Sequence, residues 1–425
     1  MRSSDKVYTI TEYGGFTRGV SFGRYRSLPD RTFDRLEDFI LSNITGTGTE
    51  AVELLSLSAR RGIGKIITAR NYVGLITMAD GTVIEILPKI AGADISVGDS
   101  KQIFLKMLQT LKDVTFKDFN VSHLHTDRLS LFEIFIKMFL DEVLLLTKQG
   151  FKASYEPIES NERFYKGKLL PSQNIKYNLF NKERFFVRYD DFNINRPENK
   201  LIKSTLRFLQ KLTTDSSNRK NAIRLLTFFE SVDYSINYKA DFSKCITDRN
   251  MSHYDKALSW CRVFLCGSSF TAFSGSEVAL ALLFPMEKVF ESFIAAKFRK
   301  YLREGMSLRI QDNKYSLFSS PTRAFALRPD LVLESNGRTL IIDTKWKLLS
   351  GDLRNSGISQ SDMYQMYAYS KKYDADGIIL LYPYSDIINR DGIRYISDDN
   401  VKVDISFIDL KNADKDIANL IEMCL

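Results

Sequence analysis

The chain has 425 residues, 44% of them hydrophobic and 26% charged, with 22 Gly and 9 Pro. This composition excludes a largely disordered chain, and the length predicts two or three domains rather than one. Its 60 Lys and Arg against 52 Asp and Glu leave a formal charge of +8, which suits a polyanionic partner such as nucleic acid without requiring one.

Residues 1–100 read as a β-rich domain. Gly64–Ala69, Tyr72–Met78 and residues 82–87 are short runs of Ile, Val, Thr and Tyr. Asp80-Gly81 between the last two predicts a hairpin turn, since this pair accepts positive φ, and Pro88 ends the strand. Residues 43–50 read as a loop, and Arg60, Arg61 and Lys65 form a basic turn. From about residue 100 the apolar period changes from two to 3.6, which predicts helices over 102–111, 129–148, 198–212 and 221–231. The region 101–270 is therefore expected to be a mainly helical linker or stalk, interrupted by a polar and aromatic stretch at 164–191.

Residues 271–425 form the third expected domain. A helix over 285–302 starts with Pro in its first turn. Strands over 326–334 and 338–345 follow, joined at Ser335-Asn336-Gly337, then a polar loop at 350–361, a helix over 362–372 and an apolar strand over 377–382. This order predicts an α/β core with a mixed sheet.

Asp343 interrupts a strand that should be buried, because it follows Leu340-Ile341-Ile342. Side chains alternate along a strand, so Lys345 returns to the face of Asp343 while Thr344 points to the other. Asp330 opens the partner strand, where a hairpin brings it alongside. Two carboxylates offer hard oxygen ligands suited to Mg²⁺, with Mn²⁺ also accommodated. Such an ion would lower the pKa of a bound water and neutralise charge developing on a phosphate. Lys345 would orient that water or help deprotonate it, and would stabilise the transition state. Taken alone, Asp343-Thr344-Lys345 reads equally as a strand end with a solvated ion pair.

Pro329-Asp330, then twelve residues, then Asp343-Thr344-Lys345 resembles the PD-(D/E)xK nuclease motif. On the preceding helix Glu287 and Glu291 share a face. Many members of that superfamily place an extra acid there, and Glu291 is the favoured third metal ligand beside Asp330 and Asp343. Gln365-Met366-Tyr367-Ala368-Tyr369 resembles the QxxxY element of RecB-like nucleases, which puts Gln365 and Tyr369 on one face towards the site.

Most of the chain resembles the McrC family, the nuclease subunits of McrBC-type modification-dependent restriction systems. The resemblance is carried by Tyr8 to Gly15, Asn71-Tyr72-Val73-Gly74, Ile84-Glu85-Ile86-Leu87-Pro88-Lys89-Ile90, Lys166-Gly167-Lys168-Leu169 and Ile341 to Lys347. It implies a DNA endonuclease subunit that works with an McrB-type AAA+ GTPase hexamer. Such a subunit sits in the ring through its N-terminal part, stimulates nucleotide hydrolysis and pairs with a second copy to cut both strands. Arg60, Arg61 and Lys65 are the candidate ring contacts, although a solvated loop explains them equally well. The rival readings are an adaptor that only activates the NTPase and a stand-alone RecB-like exonuclease.

Other signals carry less. Gly62-Ile63-Gly64-Lys65 lacks the spacing and the Ser or Thr of a phosphate loop. His123, His125 and His253 have no zinc-ligand spacing. Cys245, Cys261, Cys266 and Cys424 contain no CxxC pair, and they read as reduced thiols in a cytoplasmic protein rather than an iron–sulfur site. Phe185 to Tyr189 mixes aromatic with basic residues; core packing explains the rings, with Arg184 and Arg188 as plausible phosphate contacts. No apolar run reaches the roughly 18–20 residues of a membrane span.

Overall fold

A computed structural model describes residues 6–44, 54–78, 80–90, 95–111, 126–245, 252–266, 278–351, 353–385 and 392–423. Most of the expected loop at 43–50, together with Ala79, His123, His125 and Cys424, lies outside the described residues. By contact density the chain divides into two units: residues 1–131 with 269–425, and residues 132–268.

The first unit opens with β1 (Val7–Thr11), β2 (Gly15–Arg18), β3 (Tyr25–Leu28), α1 (Asp30–Ile44), β4 (Leu55–Arg60), β5 (Gly64–Ala69), β6 (Tyr72–Met78), β7 (Val83–Leu87) and α2 (Val97–Leu108). The predicted hairpin forms: β6 and β7 pair antiparallel, and Gly81 takes a φ of 82° in the turn. Ser96 and Asp99 close a reciprocal capping box at the start of α2, which satisfies two amides that the helix cannot.

The second unit holds α3 (Leu131–Gln149), β8 (Ser154–Glu162), β9 (Lys168–Leu169), α4 (Pro171–Asn178), β10 (Phe185–Asn193), α5 (Pro197–Leu212), α6 (Ser216–Phe228), α7 (Tyr238–Lys244) and α8 (Ser252–Cys266). Helices make up much of it. The segment from 154 to 193, however, contains a sheet ordered β8-β10-β9, in which β8 and β10 pair over nine residues. Its strands alternate poorly between apolar and polar residues, so their pattern does not announce them. The helices pack on a buried aromatic core in which Trp260 stacks on Phe264 at 5.4 Å and tilts against Phe135 at 5.7 Å.

The chain then returns to the first unit with β11 (Val278–Pro285), α9 (Met286–Tyr301), β12 (Met306–Ile310), β13 (Ser316–Phe318), β14 (Ala324–Ala326), β15 (Leu331–Ser335), β16 (Arg338–Thr344), α10 (Gln360–Tyr373), β17 (Gly377–Pro383), β18 (Ile393–Ile396), β19 (Lys402–Ile408) and α11 (Ala413–Met423). Strand β11 joins the sheet β1-β7-β6-β11, pairing antiparallel with β6. The stretch expected to open a separate third domain therefore begins inside the N-terminal sheet. Gly74 makes this pairing possible: a Cβ there would lie 1.9 Å from the Leu282 carbonyl oxygen. Phe16, Phe33, Leu36, Ile67, Ile76, Ile84 and Leu283 are buried in the core shared by this sheet and the second sheet, β3-β2-β5-β4. Full burial of such a side chain contributes about 1.5–3 kcal/mol.

The third sheet, ordered β12-β15-β16-β17-β19-β18, is mixed, as expected. β15 and β16 form the antiparallel hairpin, β17 and β19 run parallel to β16, and helix α10 makes the crossover between β16 and β17. The strand predicted over 326–334 is instead two short strands, because Pro329 and the residues around it leave the ladder between β14 and β15. The C-terminal β18, β19 and α11 extend the core beyond the predicted set. Helix α9 is tied to α11 by Asp414, which binds Lys297 at 2.7 Å and Tyr301 at 2.8 Å.

Candidate active site

The β15–β16 register pairs Leu331 with Ile342, so one further step places Asp330 opposite Asp343. Both stand at the end of β16 where its parallel neighbours also finish, the usual position of ligand sites in open α/β sheets. A cleft of about 770 Å³ opens there. Asp330, Asp343, Lys345, Gln365 and Glu291 all line it, so five of the six expected site residues are brought together. The sixth, Tyr369, is buried and donates no surface to the cleft.

Asp343 is 2% exposed. Its Oδ2 meets the Lys345 Nζ at 2.7 Å and, among the described residues, accepts no other donor. Burial, and then the neighbouring charge of Asp330, push its pKa up to about 7 despite Lys345. Asp330 is also raised by burial, although Thr344 donates to its Oδ2 from both the amide, at 2.8 Å, and the hydroxyl, at 2.7 Å. Thr344, expected to face away from the site, thus anchors one of its carboxylates. Two facing carboxylates that each resist ionisation constitute a site short of positive charge.

Burial works against the Lys345 ammonium, but Asp343, with Asp362 and Asp330, outweighs it and holds the Lys345 pKa above its usual value. The ammonium also lies 3.4 Å from Gln365 Oε1 and 3.9 Å from Asp362 Oδ1. Gln365 donates in turn to the Tyr369 hydroxyl at 2.7 Å, one turn further along α10. Tyr369 is 1% exposed and its pKa is raised by burial and by the charges of Asp343 and Asp330, so it serves as a neutral post that orients Gln365.

Glu291 reaches the pair indirectly. The Gln311 side-chain amide binds Glu291 Oε1 and lies 3.5 Å from Asp330 Oδ1, while the Gln311 backbone amide donates to the Asp330 carbonyl at 2.8 Å. Gln311 takes a φ of 53°, a conformation that its residue type does not announce. Among the described residues no three His, Cys, Asp or Glu side chains converge into a metal cage. Mg²⁺ needs none: it keeps several waters and commonly takes one or two carboxylates plus phosphate oxygens. Asp330 and Asp343, with an oxygen that among the described residues only Lys345 serves, are a donor set that fits.

The N-terminal segment supplies part of the cleft wall through Glu12, Tyr13 and Lys89, which sequence reasoning did not connect with the chemistry. With Lys288, Arg328 and Lys347, Lys89 adds exposed positive charge around the acidic centre. Arg60, Arg61 and Lys65 are exposed on the β4–β5 hairpin and do not line the cleft. Lys65 pairs there with Glu37, and Arg60 lies 5.9 Å from the Tyr25 ring centre. Cys245, Cys261 and Cys266 are free thiols in the second unit; burial pushes Cys245 and Cys261 up to about 12, which suits small hydrophobes. No helix among the described residues is long and apolar enough to cross a membrane.

The same chain compares well with solved structures. A chain of the refined half-complex from the tetradecameric assembly of Thermococcus gammatolerans McrB AAA+ hexamers with bound McrC aligns with a TM-score of 0.74 and 18% identity, covering 99% of this chain and 100% of that one. A chain of the Thermococcus gammatolerans McrBC complex aligns with a TM-score of 0.53, also at 18% identity, over 70% of this chain and 88% of that one. No curated protein matches in sequence. The sequence matches the family described as McrBC 5-methylcytosine restriction system component over residues 67–383. With most of its length inside that match, and with this fold, the chain belongs to the family of McrBC restriction system components.

Proposed function

We propose that this chain is the endonuclease subunit of its restriction system, hydrolysing DNA phosphodiesters with a PD-(D/E)xK centre made of Asp330, Asp343 and Lys345. The observation that carries this reading is the buried Asp343 oxygen whose single partner among the described residues is Lys345, facing Asp330 in a cleft edged with cations. A structural carboxylate at 2% exposure is normally saturated with donors, because an underserved one costs several kcal/mol.

Asp330 and Asp343 would hold Mg²⁺, or Mn²⁺, with Glu291 one amide away through Gln311. Bound there, the ion supplies Lewis-acid stabilisation of phosphate charge and a more acidic water. Lys345, kept as an ammonium by Asp343, donates to the phosphate or to the attacking water rather than removing its proton. Gln365 fixes the other side of that ammonium. Arg328, Lys89 and Lys347 provide contacts for the flanking phosphates. In the balanced reaction the water oxygen joins phosphorus as one of its O–H bonds breaks and its proton passes to solvent, one phosphorus–oxygen ester bond breaks, and the leaving oxygen takes up one proton from solvent, so no net proton is lost in that exchange.

The partner of this chain is an McrB-type AAA+ hexamer, a reading supported by family membership and by likeness to structures of McrB–McrC assemblies. Stimulation of that partner's NTPase belongs to the same proposal, as does pairing of two nuclease units to cut both strands. An adaptor that only activates the NTPase would have no use for a strained acidic pair in an open cleft.

The test is plasmid cleavage by the chain with its AAA+ partner, nucleotide and Mg²⁺, comparing wild type with Asp343→Ala. Loss of cutting by about 10³-fold or more, with NTPase stimulation retained, is expected. Equal cutting by both proteins would remove the nuclease assignment and leave the adaptor role.

A further inference from the structure

Glu12 follows β1 and is 1% exposed, yet it belongs to the lining of the cleft. Its Oε1 accepts the Lys89 amide at 2.7 Å and the Trp346 indole N–H at 2.8 Å; its Oε2 lies 2.9 Å from the same indole nitrogen. These donors, a backbone amide and an indole, are both neutral. Burial raises its pKa to about 7 in spite of these bonds, so the group is costly to keep where it is.

What it holds explains the cost. Trp346 directly follows Lys345, whose amide, just past the end of β16, still donates to the Leu381 carbonyl of β17 at 2.9 Å, so Trp346 stands where the chain leaves the sheet. Its ring is 8% exposed and rests against Phe290 of α9 at 5.4 Å, beside Glu291. One face of the Trp346 side chain is therefore packed on the helix that carries Glu291, and its polar tip is gripped by Glu12 from the N-terminal strand. The residue between this peg and Asp343-Thr344 is Lys345, whose ammonium must stay at 2.7 Å from Asp343 and in reach of Gln365. The same carboxylate also holds the backbone of Lys89, whose exposed side chain enters the cleft.

We propose that Glu12 is a positioning residue of the nuclease centre, acting through the Trp346 indole to hold Lys345 in place. This rests on the nuclease reading above, and it makes the N-terminal strand a working wall of the active site. Glu12 touches neither substrate nor metal.

The experiment measures plasmid cutting by the full chain with its AAA+ partner and Mg²⁺, over a range of DNA concentrations, for Glu12→Ala, Glu12→Gln, Trp346→Phe and the Glu12→Ala/Trp346→Phe double variant. Rates are normalised to the folded fraction from thermal melting. Loss of the grip is expected to lower kcat by about 10–100-fold while KM stays within about twofold, the scale of a small misplacement at a reacting centre. Glu12→Gln should recover most of that rate, since one amide oxygen still accepts both N–H groups. The double variant should be no slower than the worse single one, because the two changes break the same link. Should Glu12→Ala fail to fold, Trp346→Phe keeps the ring, removes only the N–H and decides the matter. Wild-type kcat in Trp346→Phe, a rise confined to KM, or losses that multiply in the double variant would overturn the proposal. Asp343→Ala in the same assay separates the two claims: if it cuts normally, the nuclease reading itself has failed.

Discussion

Two buried carboxylates, one in each unit, show how differently the same group is treated. Glu133 on α3 is 4% exposed and fully served. It accepts from the Thr213 hydroxyl at 2.6 Å, the Thr214 amide at 2.7 Å, the Asp215 amide at 3.2 Å and the Asn218 side chain at 2.8 Å. These are the free donors around the start of α6, so the carboxylate acts as a structural plug at a helix N-terminus. Asp343 is equally buried but has one oxygen with a single, charged partner and a second carboxylate across from it. Burial by itself therefore does not mark a site. Burial with unmet demand for positive charge does.

The contrast is sharpest when each is neutralised. Glu133→Ala leaves several buried donors without an acceptor and should destabilise the protein by about 3 kcal/mol in urea unfolding, with cutting by the folded fraction unchanged. Asp343→Asn should do the reverse, abolishing cutting while stabilising the metal-free protein by about 1–3 kcal/mol at pH 8. If both variants lose stability alike, the distinction between plug and site collapses.

A pH series tests the same point with the sign reversed from the usual acidic residue. The folded Asp343 keeps its proton up to about 7, whereas the unfolded chain loses it near the ordinary value of 3.8. Unfolding is therefore favoured by proton release across that window, and the Asp343 contribution to stability falls from about pH 4 to pH 7. Comparing wild type with Asp343→Asn by thermal melting at several pH values should show the fall in wild type and its loss in the variant.

Cation supply should relieve the unmet demand. Saturating Mg²⁺ at pH 8 is expected to raise the wild-type Tm by about 2–5 °C and to leave Asp343→Asn unmoved. The smallest effect belongs to the rim. Lys89→Ala should weaken binding of a DNA duplex by about threefold to tenfold at low salt and reduce the salt dependence by about one phosphate contact, read by fluorescence anisotropy.

Much of the centre was legible because its elements are local. Asp343 and Lys345 sit two apart across the end of one strand, Gln365 and Tyr369 four apart on one helix, and Asp330 one hairpin away, so periodicity alone puts each pair on a shared face. Gln311 escaped because its role depends on a positive φ in a loop that carries no glycine. Thr344 escaped because regular alternation was extended to the strand's last residue, where the chain leaving β14 carries the Asp330 carboxylate across the end of β16. The β8–β10 pair escaped for want of a clean alternating pattern.

The amino-acid sequence by itself determined the family, the mixed sheet and which acidic and basic residues make up the candidate centre, since these follow from short-range periodicity and from motifs whose members lie close along the chain. Only the tertiary structure decided that residues 278–285 complete the N-terminal sheet and that Glu12 grips Trp346 across 334 positions of sequence. Contacts of that span leave no periodic trace, because they are set by which faces remain to be buried once the local elements have formed.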